Sequence, residues 1–243
     1  MNHKSLYFRN VEIDEICEGL VRQYEGKAYG TRPINIVDFA LHYFNMRIIY
    51  AQIAEEDANR LSFLADGHTP LKVLYDGRIL EYVFPEKTIV LDRFLKLSQE
   101  RCRRYFCIAH EIYHLIDRLL TGSPVAAAFH TEFDGEQHYT IEELSGLLNI
   151  RECQADRGAA ALLMPAGLLK NTYMQFANGR MLSVYGHNVF SQEDKGILQR
   201  MAEYLGVSYT ALVIRMQQMK MFEKHGLDEY ISTELHLGTK EGG

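Results

Sequence analysis

Apolar positions recur at helical spacing over residues 11–25, where Ile13, Ile16, Cys17, Leu20 and Tyr24 share one face. This predicts an amphipathic helix that exits through residues 26–31, so residues 1–30 read as an N-terminal helical extension. The next helix opens at Asn35, a residue type that caps helix starts, with Asp38 three positions on as a short acidic partner. Ile36, Val37, Ala40, Leu41 and Phe44 are its inward positions, and Asn45 suits a left-handed stop. Then the pattern changes. Residues 47–53 (Arg-Ile-Ile-Tyr-Ala-Gln-Ile) read as a strand. Residues 71–75 and 78–84 flank Asp76-Gly77, which is a hairpin signal. Residues 88–92 (Thr-Ile-Val-Leu-Asp) predict a further strand.

From Arg104 to Leu120 the chain is rich in apolar residues, with no Gly or Pro to interrupt it. A long buried helix follows. A second, over residues 150–165, carries the small apolar residues Ala155, Ala159, Ala160, Leu162 and Leu163. Two helical patterns flank Leu205-Gly-Val-Ser208 and read as a closing pair within residues 191–225. Residues 31–225 form one domain on this reading, and 226–243 read as a flexible tail ending in Gly-Thr-Lys-Glu-Gly-Gly. Two connections remain: 121–145, long and between the two buried helices, suits a lid or a specificity loop, and 177–190 reads as a second loop.

The chemistry lies in the first of the two buried helices. Residues 110–114 are His-Glu-Ile-Tyr-His. Four residues apart on a helix, His110 and His114 share a face and can reach one metal. Glu111, about 100° around the helix, can approach a metal-bound water as general base without taking a ligand place. A third ligand is needed, and the second buried helix offers Glu152, with Asp156 one turn further on the same face. Glu152 then ligates, while Asp156 accepts the outer N–H of a ligand histidine and fixes its tautomer. Two His and one Glu leave a fourth position for water, the pattern of catalytic rather than structural zinc.

These residues resemble the ImmA/IrrE family of bacterial zinc metallopeptidases. The likeness rests on Arg104, Ala109-His-Glu-Ile-Tyr-His114 and Glu152-Cys-Gln-Ala-Asp156, the last leading into Ala-Leu-Leu-Met-Pro165. It touches roughly residues 32–222. It implies an α+β, zincin-like core, with a small twisted sheet packed on the active-site helix and a mostly helical C-terminal part. It implies Zn2+ held by His110, His114 and Glu152, Glu111 as catalytic base, and Asp156 behind a ligand. It also implies peptide-bond hydrolysis in a protein substrate, a cognate helix-turn-helix repressor of a mobile element or stress operon. Three departures stand out. Tyr113 occupies a place where the family has Gly, Gly158 replaces an aromatic, and the stretch from His114 to Glu152 is long. The Gly158 exchange predicts looser packing near the third ligand.

An extended substrate is expected along the edge of the sheet, on one of the strands within 47–53, 71–84 or 88–92. An oxyanion donor is also needed. His130, His138, Tyr139, Tyr173, Tyr185 and His187 are candidates among which the sequence does not choose.

Composition narrows the surroundings. The chain has 243 residues, a net charge of −6 and four cysteines, none in a C-x-x-C pair. Free thiols, buried and inert on helices, suit a reducing cytoplasm. No secretory signal and no apolar run long enough to span a membrane are read here. A helix-turn-helix reading of residues 192–222 meets an unfavourable charge. From Ser191 to Tyr230 there are five Lys/Arg against six Asp/Glu, whereas DNA binding needs cations to displace phosphate counterions. Nucleic acid is therefore not the expected partner. The alternative function is a regulatory protein that binds DNA or a repressor and carries a vestigial or structural metal site.

Overall fold

The structure, a computed structural model, describes residues 8–56, 60–122, 128–131, 150–233 and 235. Its first helix, α1 (Asn10–Glu25), is the amphipathic helix of the sequence pattern. Glu12 accepts a hydrogen bond from the Arg9 backbone N–H at 2.7 Å and so anchors its first turn. The helix packs its apolar face on the main body: Ile13, Cys17 and Val21 are fully buried in the main core. Asn35 caps α2 (Ile36–Asp38), accepting from the Asp38 N–H at 3.2 Å. α2 continues as a π-helical turn (Phe39–Tyr43), closed by a bond from Phe44 N–H to Phe39 O. That extra residue per turn rotates the inward face. Phe39 and Ala40 are buried, and Leu41, an expected inward position, is exposed. Asn45 does supply the left-handed stop, at φ 52°.

A four-stranded sheet runs in the order β1 (Arg47–Ala51), β5 (Thr88–Asp92), β2 (Arg60–Ala65), β6 (Ala128–Thr131). β1 is parallel to β5, and the other neighbours are antiparallel. β3 (Leu71–Tyr75) and β4 (Arg78–Tyr82) form the expected hairpin. Asp76 and Gly77 both take positive φ, the two-residue turn that matches strand twist. Alternation sorts the sheet's two faces. Phe63, Ala65 and Val90 pack with Leu71, Val73 and Phe84 of the hairpin side. Leu64, Ile89 and Leu91 enter the main core under α3 (Arg101–Thr121). Among the described residues the fold is α+β, as expected.

Behind α3 lie α4 (Ile150–Leu163) and α5 (Ala166–Ala177), then β7 (Leu182–Tyr185), α6 (Gln192–Leu205), α7 (Tyr209–Gln218), β8 (Phe222–His225) and α8 (Leu227–Thr233). β7 and β8 pair in parallel. The second connection, 177–190, is therefore partly strand, because Leu182 and Val184 have a core to enter. Likewise residues 227–233 are helical where a tail is expected to be flexible. α6 and α7 are the closing pair, and α7 turns Leu212, Arg215 and Met216 inward. Arg215, 1 % exposed, donates to Asp14 at 2.6 Å and to the Met164 carbonyl. Arg157 donates to the other oxygen of Asp14. One carboxylate thus ties α1, α4 and α7 together.

Candidate metal centre

α3 is long and uninterrupted because its apolar residues face two layers at once. Ile108, Ile112, Leu115 and Ile116 are buried, and the helix stops at Gly122, which takes a left-handed φ. The interior therefore receives His110, Glu111 and His114 in one turn, and His110 and Glu111 are both fully buried. Opposite, α4 brings Glu152 in its first turn and Asp156 one turn later.

His110, His114 and Glu152 form a group that can hold a metal ion, with one ligand atom from each within 4.8 Å of the others. His114 Nε2 lies 2.9 Å from His110 Nε2. Glu152 approaches His110 Nε2 at 3.1 Å and His114 Nε2 at 3.4 Å. On the far side of the ring, His110 Nδ1 is 3.0 Å from Asp156 Oδ1. A neutral imidazole carries one N–H. If Nδ1–H donates to Asp156, Nε2 presents a lone pair to the same point as His114 Nε2 and the Glu152 carboxylate. Three such acceptors facing one point suit a cation between them, and this donor set fits a metal. Glu111 fits as well. Its Oε1 accepts from the Ser62 hydroxyl at 2.6 Å, and its Oε2 is buried with no partner among the described residues.

The charges follow from this packing. Burial works against a charged His110, but Asp156, Glu152 and Glu111 outweigh it and lift the ring to about 9. Burial likewise opposes ionisation of Glu152, and the two histidines reverse it, holding the carboxyl well below its ordinary range. Burial pushes Glu111 up, with the His114 and His110 charges opposing. A raised His110 favours the protonated folded chain. Its stabilisation is complete below the ordinary histidine value and is lost as pH rises through about 9. Chelator-treated protein should therefore melt at progressively lower temperature from pH 6.5 to 9.5, and His110→Asn should flatten that decline. A parent profile as flat as the variant's would count against the ion cluster.

No family model matches the sequence, and no curated protein matches it. The chain is similar in structure to a Mycobacterium tuberculosis transcriptional regulator, at 15% identity and a TM-score of 0.46. The alignment covers 88% of this chain and 50% of that one, so the chain spans half the length of the protein it matches.

The expected loosening beside Glu152 is not what the structure shows. A methyl placed on Gly158 would stand 2.0 Å from Cδ2 of Tyr113, whose ring is 2 % exposed. Tyr113 fills from α3 the space that a side chain on α4 would take. Ring and glycine therefore fit one another across the facing helices, with no room for a side chain on Gly158.

The other candidates separate. Tyr173 is committed to structure, donating to the Arg180 carbonyl at 2.9 Å and accepting from the Leu182 N–H. The Tyr185 ring packs against His225 and Tyr230. His187 lines a small cavity with Asn188, Gln217 and Lys224. His130 lies on β6, paired in register with Ser62; His138 and Tyr139 fall outside the described residues. Cys17 and Cys107 are buried as expected, while Cys153 is exposed and Cys102 half-buried. None of the four joins the ligand group.

Of the strands expected to offer a substrate edge, β1 does lie at one outer edge of the four-stranded sheet. β5 is interior and the hairpin belongs to another sheet. α3 packs across β2, β5 and β6, and the outer strand beside it is β6, within a stretch that reads as loop from sequence. β2 and its Ser62 are absent from the sequence reading altogether. The available signal was one small polar residue within Leu-Ser-Phe-Leu-Ala, where a buried strand has no use for an unpaired hydroxyl.

Proposed function

We propose that this protein is a zinc-dependent endopeptidase of zincin-like architecture, resembling the ImmA/IrrE family, that cuts a helix-turn-helix transcriptional repressor. The observation that supports it best is the meeting of His110, His114 and Glu152 with Asp156 behind the first and a buried, half-satisfied Glu111 beside them. Zinc, when bound, supplies a water of lowered pKa and polarises the scissile carbonyl.

The residues then divide the work. His110, His114 and Glu152 hold the ion, and Asp156 keeps the His110 proton on Nδ1 so that Nε2 ligates. Glu111 takes a proton from the attacking water at Oε2 and delivers it to the leaving nitrogen. Its burial favours that role, because a carboxyl with a raised pKa both accepts and returns a proton more readily near neutrality. The outer edge of β6 offers main-chain groups to an extended peptide, which gives affinity with little dependence on side chains. Among the described residues no helix is long and apolar enough to cross a membrane, and free cysteines suit a cytoplasmic setting.

The test is co-expression with the repressor encoded beside the gene, followed by mass spectrometry and metal analysis. One zinc per chain and a single cut in the repressor are expected. Intact repressor beside a zinc-loaded protein would remove this substrate, and zinc held by four protein ligands would favour the regulatory alternative.

A further inference from the structure

Ser62 is fully buried in β2, and its hydroxyl donates to Glu111 Oε1 at 2.6 Å across the gap between sheet and helix. Its neighbours on the strand, Leu61, Phe63, Leu64 and Ala65, are all buried and apolar. A hydroxyl in such a place costs free energy unless it is hydrogen-bonded, and Glu111 is the partner it has. The carboxylate gains in turn. Glu111 is fully buried, and its Oε2 has no partner among the described residues. Ser62 thus takes one oxygen and leaves the other free. A carboxylate has a broad terminal torsion, so without that bond nothing among the described residues fixes which way Oε2 faces.

We propose that Ser62 is the positioning residue for Glu111, holding Oε1 so that Oε2 is presented to a ligand in the metal centre. The proposal rests on the zinc reading above and deepens it. Ser62 touches neither metal nor substrate; it acts through Glu111 alone. It also accounts for a serine among the buried apolar residues of β2. The pairing of Ser62 with Leu91 on one side and His130 on the other fixes that position from both neighbouring strands.

Acetohydroxamic acid is a suitable probe, since it chelates zinc through two oxygens and hydrogen-bonds a carboxylate beside the metal. Its affinity for zinc-loaded protein is read by isothermal titration, alongside zinc content. Ser62→Ala should keep full zinc and lose roughly tenfold in affinity, the size of one hydrogen bond to a charged group. Ser62→Thr, which keeps the hydroxyl, should recover most of it. In a Glu111→Gln background, Ser62→Ala should cause no comparable further loss. Parent-like affinity in Ser62→Ala, or an equal loss with and without Glu111, would overturn the assignment. Parent protein that takes up no zinc, or zinc that the probe cannot reach, overturns the metal-centre reading and the assignment with it.

Discussion

Glu111→Gln should leave zinc content at the parent level and lower peptide hydrolysis by about 10²–10⁴-fold, the usual share of a positioned general base. The amide is nearly the size of the carboxylate and can still accept from Ser62 through its oxygen, so packing in the buried turn is conserved. What is lost is the atom that takes the proton. Glu111 is not among the three groups that converge on the ion position, and this separates the variant from Glu152→Ala. Removing Glu152 deletes one acceptor of three and leaves His110 and His114 facing each other at 2.9 Å. That variant should lose metal and activity together. Repressor cleavage and metal analysis on both variants check the pair. Parent-rate cleavage by Glu111→Gln would end the general-base assignment.

Gly158→Phe should damage the scaffold directly at the packing of α3 on α4. Its first side-chain atom would already meet the Tyr113 ring at 2.0 Å, with the rest of the new ring following. Overpacking a core costs typically about 1–3 kcal/mol, and here the effect should reach the upper end, a fall in Tm of about 10 °C. Because Gly158 faces α3 from within α4, the displacement also separates His110 and His114 from Glu152, and metal affinity should fall with stability. Tyr113→Gly alone leaves a cavity, with a cost of about 3–5 kcal/mol by analogy with other aromatic truncations. Together the two changes return a ring to the gap from the opposite helix. A glycine leaves one helix interior and enters another, so the propensity costs nearly cancel. The double variant should therefore be more stable than either single one, as thermal melting would show. Additive losses would mean that ring and glycine are not filling one space.

Local patterns carried much of this molecule. The 3.6 periodicity of α1, the Asp76-Gly77 turn and the Asn35 cap are set by neighbours within a few residues, and each appears where the sequence puts it. The same holds for His110, Glu111 and His114, whose relation is the pitch of one helix. Glu152 and Asp156 could be named because i, i+4 spacing again sets their shared face. What no local pattern holds is distance between elements. The π turn after Asp38 turned Leu41 outward, and only the wider helical step shows it. β6 and β7 gain their pairing from strands far away in sequence, so their own residues read as loop. Ser62 is the sharpest case. Nothing within Arg60–Ala65 says that a hydroxyl there meets a carboxylate 49 residues later, since that bond exists only because α3 packs across β2. Tyr113 and Gly158 teach the same lesson. Read alone, each says nothing of the other, and only the packing of α3 on α4 makes them share one space. The sequence by itself determined α1, α3, α4, the closing pair, the hairpin and the three donors that can hold a metal, because those depend on short-range geometry. The tertiary structure alone decided which strand borders the site, what holds Glu111 and how the two ligand helices fit, because those depend on which surfaces exclude water together.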